Sequence, residues 1–226
     1  MADITAREVK ALRDATGAGM MDAKRALVEC DGDAEAASQL LREKGLAKAA
    51  TRSDRQNVEG AVGLVSDGRR AALVHLKCET DFSAKSEGFL ALVDELTNAV
   101  LSEGVSAVDG RTSAIDDLRL SIKENIEVGR VDLIEAADGN VLDTYLHVQD
   151  GRGVNGVVVE GSGVDQETLH QVALHIAFAK PTHLTREEVS ADLVEAERAA
   201  LLDITKAEGK PEQVWDKIVE GRLTGW

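Results

Sequence analysis

Apolar side chains in the first forty-five residues recur at helical spacing and stop at glycines. Thr5-Ala6-Arg7-Glu8 has the form of a capping box, with a hydroxyl and a carboxylate placed to satisfy each other's backbone amides. It opens a helix with Val9 and Leu12 on one face, which ends at Thr16-Gly17-Ala18-Gly19. A second helix is predicted from about Met20 to Cys30, with Met21, Leu27 and Val28 apolar. Asp31-Gly32 breaks it. Asp33 then caps a third helix bearing Ala37, Leu40 and Leu41, with Gly45 suited to the position just past its end. Adjacent helical residues lie about 100° apart, so one of Met20 and Met21 is expected in the bundle core and the other outside it. Core filling is the plainer reading of the pair; an exposed methionine would be an adaptable contact residue. Residues 46–59, with Lys48, Arg52 and Arg55 and no wide apolar face, read as a linker with some helical tendency.

From Gly60 the period changes from helical to alternating. Residues 61–65 and 70–78 flank Asp67-Gly68, a hairpin signal. In the second strand Ala72, Val74, Leu76 and Cys78 share one face, and Leu73, His75 and Lys77 the other. Phe89, Val93, Leu96 and Val100 mark a following helix, and Ile115, Leu118, Ile122 and Ile126 another. A second strand pair is expected around Asp138-Gly139, over residues 128–136 and 141–148, with a further strand at 155–160. Leu169, Val172, Ala173 and Ile176 form a helix that stops near Lys180-Pro181. The order of elements suggests an α+β protein with a two-lobed core, residues 60–127 and 128–184. Residues 185–226 read as an antiparallel helical hairpin across Gly209-Lys210-Pro211. Its first helix carries Leu193, Ala196, Ala200, Leu201 and Ile204, and its second Val214, Ile218 and Val219.

Charge changes this picture in one respect. The chain of 226 residues carries a formal charge of −15, yet residues 1–57 hold ten Lys/Arg against ten Asp/Glu. The deficit lies wholly in the remainder, and an acidic body argues against phosphate-backbone binding as the main task. Cys30 and Cys78 stand alone, without a CxxC spacing, which fits a reducing compartment. No apolar run reaches membrane-span length and no signal-peptide pattern opens the chain, so a cytoplasmic location is expected.

Candidate chemistry is sparse. Aromatics make up 3% of the chain, yet Cys78-Glu79-Thr80-Asp81-Phe82 sets an acid beside a phenylalanine where a strand gives way to a helix. Turns are where side chains leave the packed scaffold, and an aromatic there can anchor in a partner's pocket. Glu79 and Asp81 could form an acid pair, but a solvated turn is the plainer reading. His75 or His147 with Asp81 could serve a small hydrolase, provided one histidine reaches the acid in a closed pocket. His170 and His175 lie on different sides of a helix, so they are not a metal-binding pair. Gly151-Arg152-Gly153-Val154-Asn155-Gly156 has phosphate-loop glycine spacing without a following helix and reads as a strand connector. Cys78 reads as a small core residue. Lys24 shares the face of Met20, and Arg13 lies on the polar face of the preceding helix.

Residues 9–13 with 16–27, Val-Lys-Ala-Leu-Arg and Thr-Gly-Ala-Gly-Met-Met-Asp-Ala-Lys-Arg-Ala-Leu, closely resemble the N-terminal signature of bacterial translation elongation factor Ts. Residues 78–85, Cys-Glu-Thr-Asp-Phe-Ser-Ala-Lys, resemble its second signature. Gly129-Arg130-Val131, Tyr145-Leu146-His147, the stretch from Ala173 to Pro181, and Glu208 through Arg222 follow in the expected order. The resemblance covers essentially the whole chain. It implies a ubiquitin-associated-like three-helix domain, a two-lobed α+β core and a helical hairpin. It implies a guanine-nucleotide exchange factor for elongation factor Tu, acting on the partner's GDP and Mg²⁺ without binding them and without a cofactor, nucleic acid or membrane of its own. The partner contacts it implies map to Thr80, Asp81 and Phe82, to Arg13, Met20, Met21 and Lys24, and to His147. The readings outside this resemblance are a passive interaction scaffold and the hydrolase above. Two departures stand out. Ser83 occupies a place where valine is usual. The family's pattern also continues past the hairpin into a returning segment with a final strand of the second lobe, so the expectation for a sequence ending at Trp226 is either a second lobe without that edge strand or a truncated chain.

Overall fold

In the computed structural model, which describes residues 4–226, α1 (Ala6–Thr16) opens on the capping box. The Thr5 hydroxyl accepts from the Glu8 amide at 3.3 Å, and the Glu8 carboxylate accepts from the Thr5 amide at 2.7 Å. Gly17 closes the helix in the left-handed region, at φ 66°. α2 (Met20–Glu29) and α3 (Ala34–Ala50) complete a three-helix bundle, with the Asp33 carboxylate capping the Glu35 and Ala36 amides. Its core is thin: Val9, Leu12, Ala23, Ala26, Leu27 and Ala37 are buried together.

Two expectations are corrected here. Neither methionine enters the core. The inward stripe of α2 is Ala23, Ala26 and Leu27; Met21 lies off that stripe, and Met20 sits on the first helical residue at the end of the bundle. Val28, on the same helix, is exposed too. Nor does Gly45 end α3. It lies inside the helix, where a Cβ would come within 2.4 Å of Leu120, so its missing side chain permits close packing. That packing is against α6 (Thr112–Ile122), and Arg42 of α3 adds an ion pair to Asp117 and a 3.0 Å bond to Ser113.

β1 (Glu59–Ser66) and β2 (Arg70–Cys78) form the expected antiparallel hairpin. The Asp67 carboxylate accepts from the Arg69 and Arg70 amides, and Gly68 takes φ 88°. Ala72, Val74, Leu76 and Cys78 are all fully buried against α5 (Glu87–Glu103), whose Phe89, Val93, Leu96 and Val100 face them. Ile115 and Leu118 of α6 extend this core. α6 ends at Ile122, with Lys123 in the left-handed region, so Ile126 is buried from the turn that follows and not from the helix.

The strand pair expected around Asp138-Gly139 does not form. β3 (Glu127–Glu135) pairs with β2, giving the order β1-β2-β3, while β4 (Val141–Gln149) pairs with β5 (Arg152–Gly161). Val128, Val131 and Leu133 of β3 pack on the first core, which draws that strand to the first sheet. The first sheet therefore continues beyond residue 127. α7 (Gln166–Ala179) covers the second sheet through Val157, Ala173 and Ala177, and its Val172 is exposed. β5 approaches β1 closely: a Cβ on Gly153 would lie 2.1 Å from the Val62 carbonyl oxygen. The architecture is α+β, with helices packed on small antiparallel sheets.

The described chain falls into two units, one ending at Phe178 and the other spanning Ala179–Trp226. In the second, α8 (Ala191–Ala207) and α9 (Trp215–Gly225) form a hairpin through Gly209 at φ 71°. Thr205 and Val219 are buried between them, Arg222 donates to Glu208 at 2.9 Å, and the Lys206 ammonium lies 5.4 Å from the centre of the Trp215 ring. No helix among the described residues is long and apolar enough to cross a membrane.

Candidate partner-binding site

β2 ends at Cys78, and the chain turns through Glu79 and Thr80 into the four-residue helix α4 (Asp81–Ala84). Thr80 is extended and caps the helix, its hydroxyl accepting from the Ser83 amide at 3.3 Å. Ser83 and Ala84 turn inward. Phe82 points out and is 84% exposed, whereas Phe89 on the next helix is fully buried. The Phe82 side chain thus takes no part in the core and stands in solvent at the tip of a turn.

Asp81 is not free. Lys85 donates to its carboxylate at 3.0 Å and reaches Asp150, at the β4–β5 turn, at 3.2 Å. The Lys85 hydrogen bond lowers the Asp81 pKa, and Asp81 and then Asp150 raise that of Lys85. The pair ties the acid of the turn to the hairpin end near His147, which is exposed, with its Nδ1 3.2 Å from the Tyr145 hydroxyl. The second surface is the outer face of α2. Met20 is 46% and Met21 64% exposed, and Lys24 lies beside them. Arg13 is half-buried and paired with Asp14. These bundle residues make no hydrogen bond to the Thr80–Phe82 turn among the described residues.

One group that sequence reasoning missed lies beneath the turn. Glu124, in the loop after α6, accepts from the Glu79 amide at 3.0 Å, the Thr80 amide at 3.1 Å and the Thr80 hydroxyl at 2.7 Å. Burial pushes its pKa up, but the hydrogen bonds from Ser83, Thr80 and the two amides outweigh burial and hold it below the ordinary range. No local spacing signals this role, because the partners are more than forty residues apart in sequence. Glu79 in turn accepts from the Asn125 amide at 2.7 Å and pairs with Arg55.

Among the described residues the geometry offers no reaction centre. Glu79 and Asp81 turn to different partners, so they are not an acid pair. His75 lies half-buried on the sheet, flanked by Gly60 and Gly129 on the neighbouring strands, and burial lowers its pKa. No histidine bonds Asp81 among the described residues. Neither the cleft of about 820 Å³ between the α1–α2 turn, α3 and α6 nor the cleft of about 610 Å³ within residues 179–226 includes Asp81, His75 or His147. Cys78 is buried, and burial followed by the nearby Glu124 charge pushes its thiol up to about 11, so it carries no thiolate at neutral pH. No group of three or more metal-ligating side chains occurs among the described residues.

Exposed apolar side chains stand on a braced turn and on a small bundle, with no acid–base set among the described residues. The family model for elongation factor Ts matches residues 79–226. Over 238 aligned residues the chain is 45% identical to an elongation factor Ts of Clavibacter michiganensis subsp. michiganensis, spanning all of this chain and 86% of that protein. It is 46% identical to one from Cutibacterium acnes, over 99% of this chain and 84% of that protein. It is 42% identical to one from Sodalis glossinidius, over 99% of this chain and 78% of that protein. The chain belongs to the elongation factor Ts family, and is thus an elongation factor of protein biosynthesis and not the catalyst of a chemical reaction.

Proposed function

We propose that this chain binds elongation factor Tu and promotes release of its GDP, using Asp81 and Phe82 as a wedge. The observation that carries the reading is the 84% exposure of Phe82 on a turn whose backbone is held from below. A bound guanine nucleotide is kept by Mg²⁺ and by loops around its phosphates. An exchange factor performs no chemistry on it. It binds the nucleotide-free partner better than the nucleotide-bound one, and by linkage the nucleotide weakens the factor's grip by the same factor. Phe82 inserts between partner helices and shifts them. Asp81, kept ionised by Lys85, disturbs the water and hydrogen bonds around the Mg²⁺. Met20, Met21, Lys24 and Arg13 anchor the bundle to the partner, and His147 contacts a further partner domain. The factor touches neither GDP nor Mg²⁺ itself, and its charge of −15 fits a cytoplasmic protein that binds protein and not nucleic acid.

The test is the release rate of a fluorescent GDP from elongation factor Tu, with and without the chain and its Asp81→Ala/Phe82→Ala variant. Strong acceleration by the wild type, lost in the variant, is expected. Binding without acceleration would replace this reading with that of a passive scaffold.

A further inference from the structure

α4 is a single hydrogen-bonded turn, closed by the Ala84 amide on the Thr80 carbonyl at 3.2 Å and the Lys85 amide on Asp81 at 3.1 Å. Four residues cannot hold a helix by themselves. Burial of Phe82 does not hold it either, because that side chain is in water. Ala84 seats its far end in the core, and its direction is set at the N-cap, where one carboxylate grips the Thr80 amide, the Thr80 hydroxyl and the Glu79 amide before it. Glu124 Oε2 accepts from two consecutive amides, and Oε1 accepts from the Thr80 hydroxyl. An ionised carboxylate only accepts, so the Thr80 hydroxyl proton must point at Glu124. The lone pairs of that hydroxyl are then left facing the Ser83 amide and, at 3.3 Å, the Ser83 hydroxyl. The charge of Glu124 therefore sets the polarity of the cap. The grip is reciprocal, since the Glu79 carboxylate accepts from the Asn125 amide next to Glu124.

We propose that Glu124 is the positioning residue of the wedge: it touches no partner and aims Asp81 and Phe82 by holding the Glu79–Thr80 backbone and orienting the Thr80 cap. This rests on the reading that the wedge drives GDP release. Ser83, whose hydroxyl lies 3.3 Å from that of Thr80 and whose amide donates to it, supports Glu124 in this role.

The experiment uses the full chain with Glu124→Gln, and Ser83→Ala as the milder variant. Two quantities are read: amide hydrogen exchange in the free chain, and GDP release from elongation factor Tu as a function of factor concentration. In Glu124→Gln the Glu79 and Thr80 amides should exchange at least about tenfold faster, while the β1–β2 amides keep their protection. The maximal release rate should fall about tenfold, with the half-saturating concentration changed less than about threefold because the α2 anchors are untouched. Ser83→Ala should shift both in the same direction by less. An unchanged maximal rate overturns the proposal. So does a slower rate with unchanged exchange at Glu79 and Thr80, or acceleration of all amides together, which would make Glu124 a residue of general stability. Absence of acceleration by the wild-type chain overturns the exchange reading and the proposal with it, and is distinguished because it appears before any substitution is made.

Discussion

Phe82 and Phe89 lie on successive helices and differ completely in environment, so the same substitution should have opposite consequences. Phe89 is fully buried between α5 and β2. Its truncation to alanine removes a large apolar group and leaves a cavity that close-packed neighbours refill only in part, a cost of about 3–5 kcal/mol. For a chain of this size each kcal/mol lowers the melting temperature by about 2–4 °C, so Phe89→Ala should melt roughly 6–20 °C below wild type. Phe82 is 84% exposed, and Phe82→Ala should change stability by no more than about 0.5 kcal/mol. If Phe82 is the interface anchor, its loss removes at least about 2 kcal/mol from the complex that releases nucleotide, or roughly thirtyfold in rate. Thermal melting followed by circular dichroism, set beside GDP release at a fixed subsaturating factor concentration, reads both effects. A Phe82→Ala chain that melts as low as Phe89→Ala would show that Phe82 is buried in solution. One that is stable and fully active would remove it from the contact surface.

Three further outcomes are expected. Gly63→Ala should cost about 1–3 kcal/mol, seen as a fall in melting temperature, because its Cβ would lie 2.1 Å from the buried Thr97 hydroxyl and 2.8 Å from Val93; unchanged melting would mean that α5 does not seat on β1 there. The native pKa of Glu124 lies below its ordinary 4.5, so its stabilisation is present above that value and is lost as pH falls through the lower native one. The stability gap between wild type and Glu124→Gln, measured by denaturant titration, should therefore be full at pH 7 and close in acid below 4.5; a gap that persists there would place the effect in packing. Met21→Ala should leave melting within about 0.5 kcal/mol of wild type yet weaken binding to elongation factor Tu several-fold by calorimetry, since the side chain is exposed and polarizable.

Much of the fold was legible in the chain because the signals were local. The Thr5–Glu8 box, the Asp67-Gly68 turn, the alternating β2 face and the period of α5 each depend on residues a few positions apart, and each is found where the pattern puts it. The Asp81-Phe82 turn was readable for the same reason: an aromatic beside an acid at a strand end is a local anomaly. The errors fall where a local signal had two physical meanings. Gly45 could end a helix or admit a neighbour, and only the approach of Leu120 decides between them. Met20 and Met21 could fill a core or stand in solvent, and Ala23, Ala26 and Leu27 of α2 leave them exposed by filling the bundle themselves.

What the sequence by itself determined, then, is the set of elements and the residues that stand out on them. The tertiary structure alone decided which strands pair and what holds the exposed turn. β3 leaves its sequence neighbour β4 for β2 because Val128, Val131 and Leu133 bury against the first core, and pairing over such a distance leaves no periodic trace. Glu124 reaches Thr80 across forty-four residues for the same reason: a carboxylate in a loop says nothing about which amides the fold will bring to it.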